Sequence, residues 1–338
     1  MSSKLVVYDR KKIASLTKTR AGETKFGEKV RWIEPEGDLL EQLAATKAAY
    51  VLFGIPEDVG VIGNHGVAGA KHAWHTGLTA LLNIQSNKIV KGSKVLVLGH
   101  LDTSELMNTL EGLSGNDLIK QSRKCAESLD KEVTDLVRKI VTAGKVPIII
   151  GGGHNNSYGN IKGCSLAKGV PVNALNIDAH TDFRQRNSRH SGNGFSWAYY
   201  EGFLNRYFMY GIHENYTSKK IFEALEDKER IRFTTFEDLF IRQLKDPDSA
   251  FKEGLDFVKS EPFGIEVDMD AIAFMPSSAQ SPSGLKLDQV RQMVYQASRK
   301  KNTAYLHLCE AAPDPGNAAE LKLTGKAIAY LISDFIRK

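Results

Sequence analysis

The chain has 338 residues, 42% of them hydrophobic and 25% charged, with a formal net charge of +5. A chain of that length can bury a sizeable core, and that composition excludes wholesale disorder. No apolar run approaches the roughly 20 residues that a bilayer crossing needs, so no membrane association is expected.

The first residues, MSSKLVVYDRKK, carry charge but no apolar segment before a small-residue cleavage site, and do not read as a secretory signal. Basic residues gather here, from Lys4 through Lys11, Lys12, Lys18 and Arg20 to Arg31. They lack aromatic interleaving and any helix-turn-helix signature. A solvated N-terminal extension over residues 1–45 is therefore expected rather than a nucleic-acid arm. From residue 46 to 338 a single domain is expected. Short runs rich in Val, Ile, Leu and Phe recur there at AYVLFGI, KVLVLG, KVPIII, VNALNI, YFMYGI, FGIEV and AYLHLC. Helical stretches separate most of them, including Asn116–Val141, Leu287–Lys300 and Ala318–Ile336. Buried strands alternating with amphipathic helices predict a mostly parallel α/β sheet covered on both faces. Cys125, Cys164 and Cys309 are scattered without CxxC spacing, as expected of free thiols in a reducing cytoplasm.

Three of the apolar runs lead directly into potential metal ligands. PIII enters GGGH and ends at His154. VNALNI enters DAHTD, with Asp178, His180 and Asp182, and FGIEV enters DMD, with Asp268 and Asp270. In a parallel α/β sheet, function belongs at the carboxyl ends of strands, where all three clusters fall. An extended exit from the strand would turn Asp178, His180 and Asp182 to one side. Two histidines and four carboxylates are too many for one ion and suit two, with two carboxylates bridging. Oxygen-rich coordination with some imidazole favours Mn²⁺ over a thiolate zinc site. Two ions ~3.5–4 Å apart can hold and deprotonate a bridging water at neutral pH.

Each cluster also has an ordinary reading. GGGHNNSYG could be a phosphate-binding turn, but it lacks the Lys-Ser/Thr of a P-loop. Aspartates at strand ends often cap the next helix. The agreement of all three contexts favours the metal site. His72 and His75 in AKHAWH lack partners and suit a helix surface, while His100 and His307 suit packed or hydrogen-bonded roles.

GGxH, DAHxD and DxD together resemble the ureohydrolase superfamily, which contains arginase, agmatinase and formimidoylglutamase. The resemblance extends to VLFGIPEDVG at Val51–Gly60, NHGVAGA at Asn64–Ala70, SPSG at Ser281–Gly284 and CEAAP at Cys309–Pro313. It implies an arginase-like three-layer α/β/α architecture with about eight strands, two Mn²⁺ ions per chain and a trimer or hexamer in the cytoplasm. By that resemblance His154 and Asp182 complete one metal shell, His180 and Asp270 the other, and Asp178 and Asp268 bridge them. Glu310 matches a glutamate that contacts the amidine nitrogens, and Asp182 a proton carrier. Two departures stand out. Glu266 replaces a serine two residues before DxD, and DMDAIAF lacks the third aspartate and proline of DxDxxDP.

The stretch FRQRNSRHSGNGF, Phe183 to Phe195, bears on substrate. Arginases place an asparagine where Arg184 stands and a histidine where Phe195 stands. Asp182-Phe183-Arg184 and Phe195 are instead similar to formimidoylglutamases. That likeness implies hydrolysis of N-formimidoyl-L-glutamate, a dicarboxylate amidine, to L-glutamate and formamide. An arginine repels guanidinium and pairs bidentately with carboxylate. Arg184 is thus expected to hold a carboxylate, with Ser191, Asn193 and Phe195 beside the substrate and Arg189 or His190 near the second carboxylate. A surface ion pair is the ordinary reading of Arg184. His213, Glu214 and Asn215 are expected along the pocket wall. Other guanidino hydrolases, and a metal-binding regulatory paralogue without catalysis, are the competing functions.

Overall fold

A computed structural model of the chain describes residues 5–337, so Lys4 of the basic stretch and the terminal Lys338 lie outside the described residues. Nine strands form one sheet: β1 (Leu5–Val7), β2 (Tyr50–Gly54), β3 (Val95–Leu101), β4 (Val146–Ile150), β5 (Val172–Ile177), β6 (Leu204–Ile212), β7 (Ile231–Thr235), β8 (Phe263–Asp268) and β9 (Thr303–Cys309). Their order is β1-β3-β2-β4-β9-β8-β5-β6-β7. Every pairing is parallel except β1 with β3. Nine agrees with the expected architecture of about eight; seven of them coincide with the apolar runs of the sequence, and the other two, at the sheet edges, carry no such run. β1 is three residues long, and β7 reads IRFTT, with exposed Arg232 facing solvent as edge strands allow.

Alternation along the strands divides the core between two faces. Ile148 and Ile150 of β4 point into one layer and Ile149 into the other. Leu175 and Ile177 of β5 likewise oppose Val172 and Ala174. Helices Ala73–Leu82, Pro247–Val258, Leu287–Ser298 and Ala318–Ile336 cover the first face. Helices Gly115–Thr142 and Asn156–Lys168 cover the second. The segment before residue 46 adds β1 to the sheet and seats Ile13, Phe26 and Val30 in the core of the first layer, all nearly or fully buried. Exposed charges such as Lys11 and Lys12 share this segment with its buried apolar side chains.

What matters for the site is the middle of the sheet. β4, β9, β8 and β5 lie side by side there and run parallel, so their carboxyl ends share one edge. His154, Glu310, the Asp268–Asp270 pair and the Asp178–Asp182 group follow those four ends.

Candidate metal centre

The chain leaves each strand through a turn that its own residues build. After β4, Gly151 and Gly152 adopt positive φ of 90° and 73°, which glycine enters without steric penalty. A Cβ on Gly152 would lie 2.6 Å from Glu57 Oε1 and 2.9 Å from the Ile55 carbonyl, so the approach is too close for any side chain. After β5, Asp178 Oδ1 accepts the His180 N–H at 2.6 Å. After β8, Asp268 Oδ1 accepts the Asp270 N–H at 2.9 Å. These tight local bonds bend the chain, so the extended exit expected from alternate spacing is not what aligns the side chains. Asp182 instead reaches the group through a left-handed backbone, with φ of 43°.

Among the described residues the six expected ligands fall into two donor groups, His154 with Asp178, Asp182 and Asp268, and Asp178 with His180 and Asp270; a third group joins His154 to buried His307 and Cys309. His154 Nδ1 lies 2.9 Å from Asp182 Oδ2 and 3.3 Å from both Asp178 Oδ2 and Asp268 Oδ2. His180 Nδ1 lies 3.6 Å from Asp178 Oδ1 and 3.1 Å from Asp270 Oδ2. Asp178 therefore turns one oxygen to each histidine and belongs to both groups. Asp268 joins the first group alone.

The donors fit divalent cations. Ligands about 2.1 Å from an octahedral ion stand about 3 Å from one another, close to these separations. Both ring nitrogens of His154 and Oδ1 of Asp270 are buried without a hydrogen-bond partner. Burial, together with the like charges of Asp270 and Asp178, pushes Asp268 well above the usual carboxylate range. Burial and Asp178 likewise raise Asp182. Asp178 is held down instead by His154 and His180, so the carboxylates of this cluster depend on nearby positive charge, which divalent cations would supply.

Two buried glutamates pin the GGGH turn from outside the ligand set. Glu57 accepts the Gly153 N–H at 2.8 Å and the Asn156 amide at 2.7 Å. Glu310 accepts the His154 N–H at 2.8 Å. Burial pushes Glu310 up to about 8, against that hydrogen bond and with repulsion from Asp270 and Asp182. Its φ of 61° makes it, with Asp182, one of two residues here in a backbone region that non-glycine side chains rarely enter.

The residues expected to touch substrate separate in the structure. Arg184 is exposed in a cleft of about 1020 Å³ shared with Arg123, Arg186 and Lys220, whose lining includes no Asp or Glu. None of the six expected ligands lines that cleft. Two of its lining residues, Phe183 and Arg184, follow Asp182 directly in the chain. Asn64 accepts from Arg184 Nη1 and donates to Ser191 Oγ, both at 3.2 Å, and so joins Arg184 to Ser191.

Phe195 and Asn193 do not face the cleft. Phe195 is 0% exposed, edge-on to His154 at 5.0 Å and stacked on Tyr207 at 4.4 Å, so it backs the histidine instead of meeting a ligand. Asn193 is spent within its own loop, accepting from Arg189 Nη1 at 2.6 Å and donating to the Ser188 carbonyl at 2.7 Å. Arg189 is likewise consumed by a buried pair with Asp130 at 2.7 Å. Of the pocket-wall residues, His213 stacks on Phe236 at 4.5 Å and Glu214 pairs with Arg242.

His190 yields a prediction. It is buried, its Nδ1 accepts the Gly192 N–H at 3.2 Å, and burial with Arg123, Arg184 and Arg189 pushes its pKa down to about 3. The folded state refuses a proton that the unfolded chain takes up below about pH 6.5. Stability from this group is therefore complete above that pH and is lost as pH falls towards 3. From about pH 7.5 to pH 5 the unfolding free energy should drop about 2 kcal/mol more in the wild type than in His190→Asn. Denaturant titrations at the two pH values check this, and equal drops would refute it.

Sequence reasoning left the role of Glu266 open and missed its contacts. Glu266 is fully buried and meets Tyr305 OH and His307 Nδ1, each at 2.6 Å. A charged side chain inside a buried strand was the available signal, since such groups are rarely left unpaired. Asn64 lies in the NHGVAGA stretch and carries no individual signal in the sequence.

A family model described as "Arginase family" matches residues 48–336. The formimidoylglutamase of Macrococcus caseolyticus is 25% identical over 287 residues, covering 84% of this chain and 83% of that protein. The formimidoylglutamase of Chromobacterium violaceum is 26% identical over 208 residues, 60% of this chain and 67% of its own. Among solved structures, formimidoylglutamase from Bacillus subtilis superposes with a TM-score of 0.73 at 21% identity, covering 94% of this chain and 93% of that one. Trypanosoma cruzi formiminoglutamase with Mn²⁺ gives 0.67 at 18% identity, covering 90% and 100%. At these identities the superpositions establish the shared fold.

Proposed function

The chain belongs to the arginase family, and from that premise we propose that it hydrolyses a linear amidine C–N bond, with N-formimidoyl-L-glutamate as substrate and L-glutamate and formamide as products. The observation that carries this choice is the cleft around Arg184, which gathers Arg123, Arg186 and Lys220 without a carboxylate. A cationic guanidino substrate would be repelled there, and a dicarboxylate drawn in.

His154, Asp178, Asp182 and Asp268 would hold one Mn²⁺, and Asp178, His180 and Asp270 the other, with Asp268 a further candidate bridge. When bound, the two ions supply an acidified water and positive charge for the oxyanion of the transition state. The chain's own residues do the rest. Arg184, oriented by Asn64, binds one carboxylate through two parallel N–H bonds. Asp182 takes the proton released by the attacking water and delivers it to the departing amine nitrogen. Glu310 would receive the amidine N–H groups as a carboxylate once bound cations offset the burial and the repulsion from Asp270 and Asp182 that raise its pKa. Phe195 and Tyr207 hold the His154 ring from behind. No described helix is long and apolar enough to cross a membrane. A cytoplasmic trimer or hexamer with residues 46–338 as its domain completes the reading.

Steady-state assays in excess Mn²⁺ on formimidoylglutamate, arginine, agmatine and guanidinobutyrate test the proposal. Turnover of formimidoylglutamate alone is expected. Turnover confined to a cationic guanidino compound would sink it, and no turnover beside full metal occupancy would favour a regulatory paralogue.

A further inference from the structure

Behind the ligand cluster lies a second, fully buried polar group. In the register of β8 and β9, Gly264 faces Tyr305, Glu266 faces His307 and Asp268 faces Cys309. These alternate positions project to one face of the sheet. Gly264 makes room for the Tyr305 ring, because a Cβ there would lie 2.1 Å from Tyr305 Cζ. The Tyr305 hydroxyl donates to Glu266 Oε1 at 2.6 Å, and His307 Nδ1 meets Oε2 at 2.6 Å. The carboxylate is thus gripped at both oxygens. Oε2 also stands 3.5 Å from His154 Nε2, while the opposite nitrogen, Nδ1, points into the aspartates. His154 and Glu266 are both 0% exposed, so water does not substitute for either.

We propose that Glu266 is the positioning residue for His154, locking the imidazole with its proton on Nε2 and its Nδ1 lone pair aimed at the cation. This inference rests on the metal reading above and adds a residue to it. An imidazole that binds a cation through Nδ1 must carry its proton on Nε2, and Glu266 Oε2, 3.5 Å from that nitrogen, is the carboxylate oxygen placed beside it. Without the carboxylate, the negative charge beside Nε2 that favours a proton there is gone, and the tautomer protonated on Nδ1, which cannot ligate, gains population. Tyr305 and His307 keep the carboxylate from rotating away. Phe195 and Tyr207 restrain the ring's plane but offer Nε2 no hydrogen-bond acceptor.

The test compares wild type with Glu266→Gln, which keeps shape and removes the charge, and with Tyr305→Phe, which leaves the carboxylate but frees one of its oxygens. Mn²⁺ titrations followed by metal analysis and electron paramagnetic resonance read each ion separately, a coupled pair differing from an isolated ion. Thermal melts of the metal-free proteins report folding. Wild type is expected to bind two ions. Glu266→Gln should weaken the ion at His154 roughly 10–100-fold, leave the ion at His180 within about twofold, and therefore show an isolated Mn²⁺ signal at intermediate loading. Excess Mn²⁺ should restore the pair and most of the turnover number. Tyr305→Phe should shift the same ion in the same direction by less. Wild-type affinity for both ions in folded Glu266→Gln would overturn the inference, as would equal weakening of both. If Glu266→Gln does not fold, an unchanged Tyr305→Phe overturns it. A wild type that binds no Mn²⁺ would overturn the metal reading itself, and this inference with it.

Discussion

Asp178→Asn should leave the protein folded and abolish its binuclear centre, with turnover lower by roughly a thousandfold or more. The side chain keeps its volume, but the only residue common to both donor groups loses its charge and half of its acceptor capacity. Its two oxygens now face different histidines, Oδ2 towards His154 and Oδ1 towards His180. Substituting His180, Asp182 or Asp270 removes a donor from a single group. The local turn should survive, since an asparagine oxygen can still accept the His180 N–H. Metal analysis after dialysis against micromolar Mn²⁺, together with steady-state turnover, checks this. Two ions retained per chain would show that Asp178 is no bridge. Asp270→Asn is the informative comparison, because it should spare the ion at His154.

Arg184→Met should lower kcat/KM for formimidoylglutamate roughly 100-fold, which corresponds to about 3 kcal/mol for two charge-assisted hydrogen bonds. The loss should fall mainly on KM, because a carboxylate distant from the scissile bond is bound alike in ground and transition states. Metal content should not change, since Arg184 touches Asn64 and the loop but none of the ligand carboxylates among its hydrogen bonds. Lysine at this position should recover only part of the loss, lacking the planar fork. Unchanged kinetics would place Arg184 outside the substrate's reach and return the question to Arg123, Arg186 and Lys220.

The chemistry of this chain is more legible in its sequence than its substrate is. His154 and the aspartate clusters sit directly after β4, β5 and β8, and buried strands of Val, Ile and Leu announce themselves without any knowledge of tertiary packing. β1 and β7 escaped because edge strands need no long apolar run. The loop from Phe183 to Phe195 misled for a different reason. Its polar residues look alike in one dimension, yet Arg189 is taken up by Asp130 and Asn193 by its own loop, while Arg184 remains open. Which of several polar side chains a loop spends on its own architecture depends on partners far along the chain. Asp130, on the helix Gly115–Thr142, carries no local mark of that pairing.

The placement of the four central strands also bears on how the molecule folds. β4, β5, β8 and β9 are neighbours in space but are separated in sequence by helices and by other strands, so the carboxylates stay apart and hydrated until the middle of the sheet has assembled. Repulsion between carboxylates of different strands is therefore incurred only as those strands pair. Cations capable of relieving it have no preformed site to occupy earlier. The metal-free chain should accordingly resemble the finished fold everywhere except along this one edge, where a few pairs of like charges meet.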